Sequence, residues 1–244
     1  NGSTLTEENL KSVPSAVTVF THKEISRFGF DTLDELMNLV PGFQSYRSST
    51  SPLHYPFSSR GRRIGNSVSE ILILVDGQRL DDPRNSGSGS IVPKFPLMHI
   101  ERVEFIRGPG SAVYGSNAML GVVNIITRSD VNEVSVNYGS FNNRKAYMLA
   151  SQKIADVSVD LFVHKGKDDG DDYRVQDTFS SNQINTDDPN KLTNLNLKIR
   201  WDNTHLHVRH NEFESDNFYV INNTSNEIFR VIYTLLNNFL FVDK

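Results

Sequence analysis

The sequence predicts two successive modules: an α+β domain with a small mixed sheet, then antiparallel β-strands of the membrane-spanning type. Between Pro14 and about Arg128, short apolar runs are interrupted by helical stretches and by clusters of Gly, Pro and Ser. Beyond Asp130 the texture changes to period-two alternation and helical signals nearly vanish. Charge divides at the same place. Residues 1–130 carry equal numbers of acidic and basic side chains, so the whole net charge of −4 falls on residues 131–244.

Composition excludes several classes. With 37% hydrophobic and 22% charged residues, the chain reads as folded and polar. Neither half has the dense basic patch that phosphate-backbone binding needs, so nucleic acid is not an expected partner. The absence of cysteine excludes disulfides, thiolate metal sites and a cysteine nucleophile. No apolar run reaches about 18 residues, which removes a transmembrane helix but leaves membrane strands possible. Asn1-Gly2-Ser3-Thr4 does not begin a charged-then-apolar signal pattern, so the expected form is mature or trimmed, with residues 1–12 a leader of unclear structure.

The first module, residues 13–130, opens with Val17 and Val19 alternating as in a strand, after which Thr21 can cap a short helix through Ile25 to Arg27. Asp31 or Thr32 can cap a second helix over Leu33–Leu39, in which Leu33, Leu36, Met37 and Val40 share one face and Pro41-Gly42 ends the run. Gln44 to Ser59 reads as a loop. Ile71–Val75 is a continuous apolar run suited to a strand buried on both faces, and Asp76-Gly77 should turn the chain back through Gln78–Leu80. Asp81 to Ser90 is a second loop. Ile100–Ile106 and Gly121–Thr127 are strands joined by a glycine-rich connection.

In the second module, residues 131–244, one strand face carries Val134, Val136 and Tyr138. The next carries Val157, Val159, Leu161 and Val163, followed by Leu195, Leu197, Ile199 and Trp201, then Leu206 and Val208. Opposite faces carry Asp156, Ser158 and Asp160, then Asn194, Asn196, Lys198 and Arg200, then His205, His207 and Arg209. One apolar and one polar face per strand suits a sheet with lipid outside and a wet lumen inside. Links at Lys153–Ala155 and Asp202-Asn203 are short, whereas Gly166–Lys191 and Ser215–Asn226 are long, the alternation expected of such barrels. Ser140–Asn143 is short where that order expects a long loop. Phe229, Val231, Tyr233 and Leu235, then Phe239 and Phe241, read as two further strands.

The most specific residues are Ile100-Glu101-Arg102-Val103-Glu104-Phe105-Ile106-Arg107-Gly108-Pro109-Gly110-Ser111, then Tyr114-Gly115-Ser116-Asn117-Ala118, then Gly121-Val122-Val123-Asn124-Ile125-Ile126-Thr127. Together with Pro14–Val19, Thr32–Leu36, Val40-Pro41-Gly42, Ser59-Arg60-Gly61 and Leu74-Val75-Asp76-Gly77, in that order, they resemble the plug of TonB-dependent outer-membrane receptors. The resemblance covers residues 13–128. It implies a plug built on Pro41, Gly42, Gly61, Asp76, Gly77, Glu101, Arg102, Gly108, Pro109, Gly115 and Gly121. In that family the arginines matching Arg60 and Arg107 pair with glutamates of the inner barrel wall, which implies that both latch the plug.

A barrel that holds a plug uses about 22 strands, and residues 131–244 supply about seven, so the strands belong to an incomplete barrel. The resemblance places the chain at the bacterial outer membrane, in contact with its lipid, and implies active transport driven by the TonB energy-transducing complex. The expected ligand is an iron chelate such as a ferric siderophore, with haem or cobalamin as alternatives. Plug loops under the ligand point to Tyr46, Arg47, His54, Tyr55, Arg84 and Asn85, since aromatics interleaved with Arg suit an anionic, partly apolar chelate. A reading from another class is a soluble β-rich binding or adhesion module. The full-length receptor is expected to be monomeric, and the present strands to wrap the plug or to pair through sheet edges with another copy. The TonB box, the family's coupling segment, is not recognisable in residues 1–12.

Rival chemistries are weaker. Gly108-Pro109-Gly110-Ser111 lacks the Lys that a phosphate loop sets beside its Ser or Thr. His205 and His207 share a strand face at a spacing that could hold a metal, yet lumen-facing polarity explains them as well. Asp168-Asp169-Gly170-Asp171-Asp172 lacks EF-hand spacing and reads as a solvated loop. No catalytic triad or carboxylate pair stands out, so neither enzymatic activity nor a cofactor or metal is expected.

Overall fold

In the computed structural model, residues 16–46, 57–59, 70–80, 94–108, 114–176, 182–187, 189–216 and 230–242 are described. The chain divides into two compact units, and along the described residues the boundary falls between Arg128 and Ser129.

The first unit opens with strand β1 (Ala16–Thr21), which hands directly into helix α1 (His22–Phe28). Thr21 is the cap: its hydroxyl accepts from the Glu24 amide, while the Glu24 carboxylate accepts from the Thr21 amide at 2.9 Å. Gly29 closes α1 in the left-handed conformation. Helix α2 (Leu33–Met37) follows Thr32, and Glu35 reaches back to accept from the amides of Asp31 and Thr32. It is shorter than the expected Leu33–Leu39. The Asn38 side chain donates to the Asp34 carbonyl and accepts from the Ser45 amide, which diverts the chain into turns ending at Val40.

Strands β2 (Phe43–Ser45) and β3 (Phe57–Ser59) pair antiparallel, so both ends of the stretch read as a loop are strands. The main sheet contains β4 (Ile71–Val75), β5 (Gln78–Arg79), β6 (Ile100–Arg107) and β7 (Gly121–Thr127) in the order β1-β6-β7-β4-β5. Its one parallel pair is β4 with β7, which makes the sheet mixed. Burial on both faces explains the continuous apolar run of β4. One face carries Ile73, Val75, Val103, Phe105, Val123 and Ile125, all fully buried. On the other, Leu72, Leu74, Ile106 and Val122 pack with Ala118, and Val17 and Tyr114 lie against them. Segment 94–97 is fastened to the start of α2 by hydrogen bonds from Leu33 to Phe95 and from Leu97 to Asp31.

The second unit contains β8 (Glu133–Tyr138), β9 (Arg144–Ile154), β10 (Val157–Asp168), β13 (Asn190–Trp201), β14 (Thr204–Asp216) and β15 (Arg230–Val242) in one antiparallel sheet. A hairpin of β11 (Asp172–Gln176) and β12 (Gln183–Asp187) stands between β10 and β13. The order β15-β14-β13-β10-β9-β8 is a simple meander once that hairpin is set aside.

Three expectations are corrected here. Strands β10 and β13 run three residues and two residues, respectively, into the predicted Gly166–Lys191 loop, because Gly166, Lys167 and Asp168 pair in register with Leu192, Lys191 and Asn190. The two strands predicted over 229–241 are one: the ladder from β14 to β15 runs unbroken through Asn237 and Asn238, which pair with Arg209 and Val208. Where about seven strands were expected, the described residues of the second unit form eight, six in the large sheet and two in the hairpin. Among the described residues, no helix is long and apolar enough to cross a membrane.

Candidate functional site

The hairpin that joins β4 to β5 is built by its own sequence. Asp76 and Gly77 take φ values of 51° and 78°, the left-handed pair that a two-residue hairpin requires. Glycine suits the second position because it has no Cβ to clash there. Asp76 does more than turn the chain. Its two carboxylate oxygens accept from the amide and the hydroxyl of Thr127, at 2.9 and 2.8 Å, and its own amide donates to the Ile125 carbonyl at 2.9 Å. The turn thus closes the end of β7, the last strand before the boundary between the units.

The charges of β6 divide into a pair built on the buried Glu104 carboxylate and the flanking Glu101 and Arg107. Arg102 Nε donates to Glu104 Oε1 at 2.7 Å, and Asn124 Nδ2 donates to the other carboxylate oxygen at 2.9 Å. Both oxygens of a carboxylate that is almost fully buried are thereby satisfied. Glu101 is exposed at a break in register, since Ile100 faces Thr127 while Arg102 faces Ile126. Arg107 donates to the Pro41 carbonyl at 3.0 Å. Burial raises the Tyr114 phenol above its ordinary pKa, and the nearby Glu104 charge adds to the effect.

Gly121 starts β7 where the backbones of two strands approach closely. A Cβ there would meet the Ile106 carbonyl oxygen at 2.7 Å, so only glycine fits without a shift. Gly42, Gly108 and Gly115 have positive φ. Tyr46 lies exposed just after β2. Arg47, His54, Tyr55, Arg60, Gly61, Arg84, Asn85 and Pro109 lie outside the described residues.

The second unit inverts the arrangement of a water-soluble sheet. His164 and Arg209 are 1% and 2% exposed, and Asp160, Asn194, Asn196, Lys198 and His207 on the same face are also buried. On the opposite face of β8, Val136 and Tyr138 are 79% and 76% exposed. Register aligns this mainly apolar face into rows: Ile154, Val157 and Trp201 at the end with the two-residue turns, then Val159, Ile199 and Leu206 beside Gln152, then Ala150, Leu161, Leu197 and Val208, then Met148, Val163 and Leu195 beside His210. The rows from Val157 to Val163 span about 20 Å along a strand. Beyond them the face turns charged. Tyr138, Arg144, Lys167 and Lys191 align there, and Arg144 lies over the Tyr138 ring. An apolar band with Trp at one margin and Tyr beside cations at the other fits a bilayer and its two interfaces.

The polar face holds one dense cluster. Asp160 Oδ1 accepts from the Ser151 hydroxyl at 2.7 Å and the Asp130 amide at 2.9 Å, while Oδ2 accepts from Arg200 at 2.8 Å. Sequence reading put Asp160 on a polar face but did not assign it a partner, because that needs the register of Asp160 with Lys198 and Ser151. His205 and His207 do share the face, and Arg209 lies 3.3 Å from the His207 ring. Asp168 accepts from the Gly170 amide and from Asn190, and Asp169 accepts from Asn142, so protein donors serve both carboxylates. Among the described residues, no group of three His, Asp or Glu side chains is placed to hold a metal.

Comparison with known proteins gives consistent results. Residues 9–122 match the TonB-dependent receptor plug domain. The ferric enterobactin receptor of Pseudomonas aeruginosa is similar in structure, with a TM-score of 0.61 at 20% identity over 84% of this chain and 34% of that one. The siderophore receptor PirA of Acinetobacter baumannii gives 0.62 at 20% identity, over 86% of this chain and 33% of that one. The ferric yersiniabactin uptake receptor of Yersinia pestis gives 0.59 at 20% identity, over 83% and 32%. The chain spans about a third of the length of these structures.

Proposed function

With a TonB-dependent receptor plug domain over residues 9–122, the chain belongs to the TonB-dependent receptors, and from that premise we propose that it serves active transport across the bacterial outer membrane. In this reading residues 13–130 are the plug and residues 131–244 are strands of the surrounding barrel. The observation that carries it is the inverted sheet, in which His164 and Arg209 are covered while Val136 and Tyr138 are bare. A soluble binding module would lose stability with that arrangement; a barrel strand set gains from it.

The ligand is an iron chelate of the ferric siderophore class. Support comes from the names of the similar structures, which refer to ferric enterobactin and ferric yersiniabactin. Tyr46, Arg47, His54, Tyr55, Arg84 and Asn85 would meet the chelate, and Arg60 and Arg107 would latch the plug to wall carboxylates. Uptake is powered by the TonB complex, which loads the plug mechanically from its N-terminal side. The test is growth of an iron-limited strain lacking the full-length receptor, on a panel of siderophores, haem and cobalamin. Loss of growth on one ferric siderophore, restored by the intact gene, is the expected result. Equal growth on every source would overturn the proposal, and a defect confined to haem or cobalamin would reassign the ligand.

A further inference from the structure

We propose that Asp160 is a positioning residue that anchors the connector between the two units, so that mechanical displacement of the first unit stops at Ser129 and is not passed into β8. The inference rests on the transport reading above, which supplies the load.

Four successive connector residues are tied to the second unit's sheet. Lys198 Nζ donates to the Ser129 hydroxyl at 2.9 Å. The Asp130 amide donates to Asp160, and Arg200 approaches the Asp130 carboxylate at 3.9 Å. The Val131 amide donates to the Ser151 hydroxyl at 2.9 Å, and Asn132 Oδ1 accepts from the Ser151 amide at 2.9 Å. The Ser151 hydroxyl itself donates to Asp160. One carboxylate, buried and bridging Arg200, Ser151 and the Asp130 backbone, therefore stands at the centre of the attachment, with Lys198 and the Ser151 amide holding its two ends. Hydrogen bonds to an ionised acceptor are about twice as strong as neutral ones, which suits a point that bears load.

The location follows from the strand orders. Before the boundary, β7 is an interior strand flanked by β6 and β4, with Thr127 held by Asp76 and the Arg128 amide bonded to the His99 carbonyl. After it comes β8, which has only β9 beside it among the described residues. A pull transmitted along the chain reaches β8 at Glu133, whose pair with Leu149 is the first of its ladder. Asp160 stands just ahead of that first pair.

The test pulls the full-length receptor from its N-terminus, by single-molecule force spectroscopy in phosphatidylcholine vesicles. Extension of the wild type should end at residue 129, with a separate, higher-force event afterwards. In Asp160→Ala the stop should vanish and the extension lengthen by residues 129–138, about 35 Å. Asp160→Asn, which keeps an acceptor, should retain the stop at lower force. As a second measure, Ser151→Ala should speed hydrogen exchange of the Val131 amide at least tenfold while the β9–β10 ladder amides stay protected, which also shows that the variant is folded. Wild-type extension in Asp160→Ala, or unchanged exchange in Ser151→Ala, would overturn the anchor. Because both readouts need neither ligand nor energy, a receptor that fails every uptake assay leaves them intact. Conversely, a transporting receptor with no stop at residue 129 sinks the anchor alone.

Discussion

Asp76 and Thr127, 51 residues apart in the chain, form a two-point clasp: each carboxylate oxygen of one takes a hydrogen from the other, the first from the amide and the second from the hydroxyl. Asp76→Ala removes both acceptors and leaves two donors unmatched. At about 1.5 kcal/mol for each charged hydrogen bond, thermal or denaturant unfolding should show a loss of about 3 kcal/mol. Thr127→Val should cost about 1 kcal/mol, and the double variant should reveal a coupling of about 1 kcal/mol. Purely additive effects would mean the clasp contributes nothing.

Gly121 offers a steric test. Gly121→Ala sets a methyl 2.7 Å from the Ile106 carbonyl oxygen, a backbone atom that cannot swing aside. The expected loss is about 1–3 kcal/mol. Gly139 is the control, since a Cβ there meets only Asn143 Cβ at 3.7 Å. Gly139→Ala should be close to neutral in the same unfolding measurement.

The pH dependence of the first unit has two ends. The Thr21 amide and hydroxyl, helped by Arg27, hold the Glu24 carboxyl below its ordinary pKa. Its contribution is present above the unfolded carboxylate value and is lost as pH falls through the lower folded value, so exchange at the Thr21 amide should quicken in acid. Burial and the Glu104 charge raise the Tyr114 pKa. That contribution is present below the unfolded value near 10 and is lost as pH rises through the folded one. Ultraviolet titration of Tyr114→Phe against the parent should show one late-ionising phenol disappear.

Leu161 and Leu197 pair in the middle of the apolar band. Leu197→Arg should destabilise the full-length receptor in vesicles by about 2–4 kcal/mol. Trp201→Arg, at the band's margin, should cost about 1 kcal/mol or less by the same assay. Equal costs at both positions would be inconsistent with a bilayer around this face.

Local features were legible in the sequence because their partners lie within a few residues. Thr21 as a cap, Asp76-Gly77 as a turn and the alternation in β10 and β13 all belong to this kind. The partners of Asp76 and Asp160, and Asn124 as the second partner of Glu104, were not legible, since each depends on a register between distant strands. The bulge at Glu101 was hidden by the alternating charges of Glu101, Arg102, Glu104 and Arg107. The polar Asn237-Asn238 divided Phe229–Leu235 from Phe239–Phe241 in the sequence, yet the apolar positions before and after it keep the same parity, and a strand can absorb polar residues when its neighbour pairs with them. The hairpin β11–β12 escaped notice because its residues are too polar to suggest a strand. The plug motif was read from its order of elements, while its loops at Arg60 and Arg84 fall outside the described residues.

The bare valines of β8 and the covered charges of β10, β13 and β14 bear on how such a chain reaches its folded state. In water, collapse would favour the opposite choice, with Val134, Val136 and Leu161 inward and Lys198 and Arg209 outward. The folded sheet is therefore not the end point of collapse in an aqueous compartment, and the polypeptide has to be kept extended until hydrocarbon is at hand. Refolding should accordingly depend on when detergent is supplied as well as how much, with late addition yielding aggregate in place of sheet.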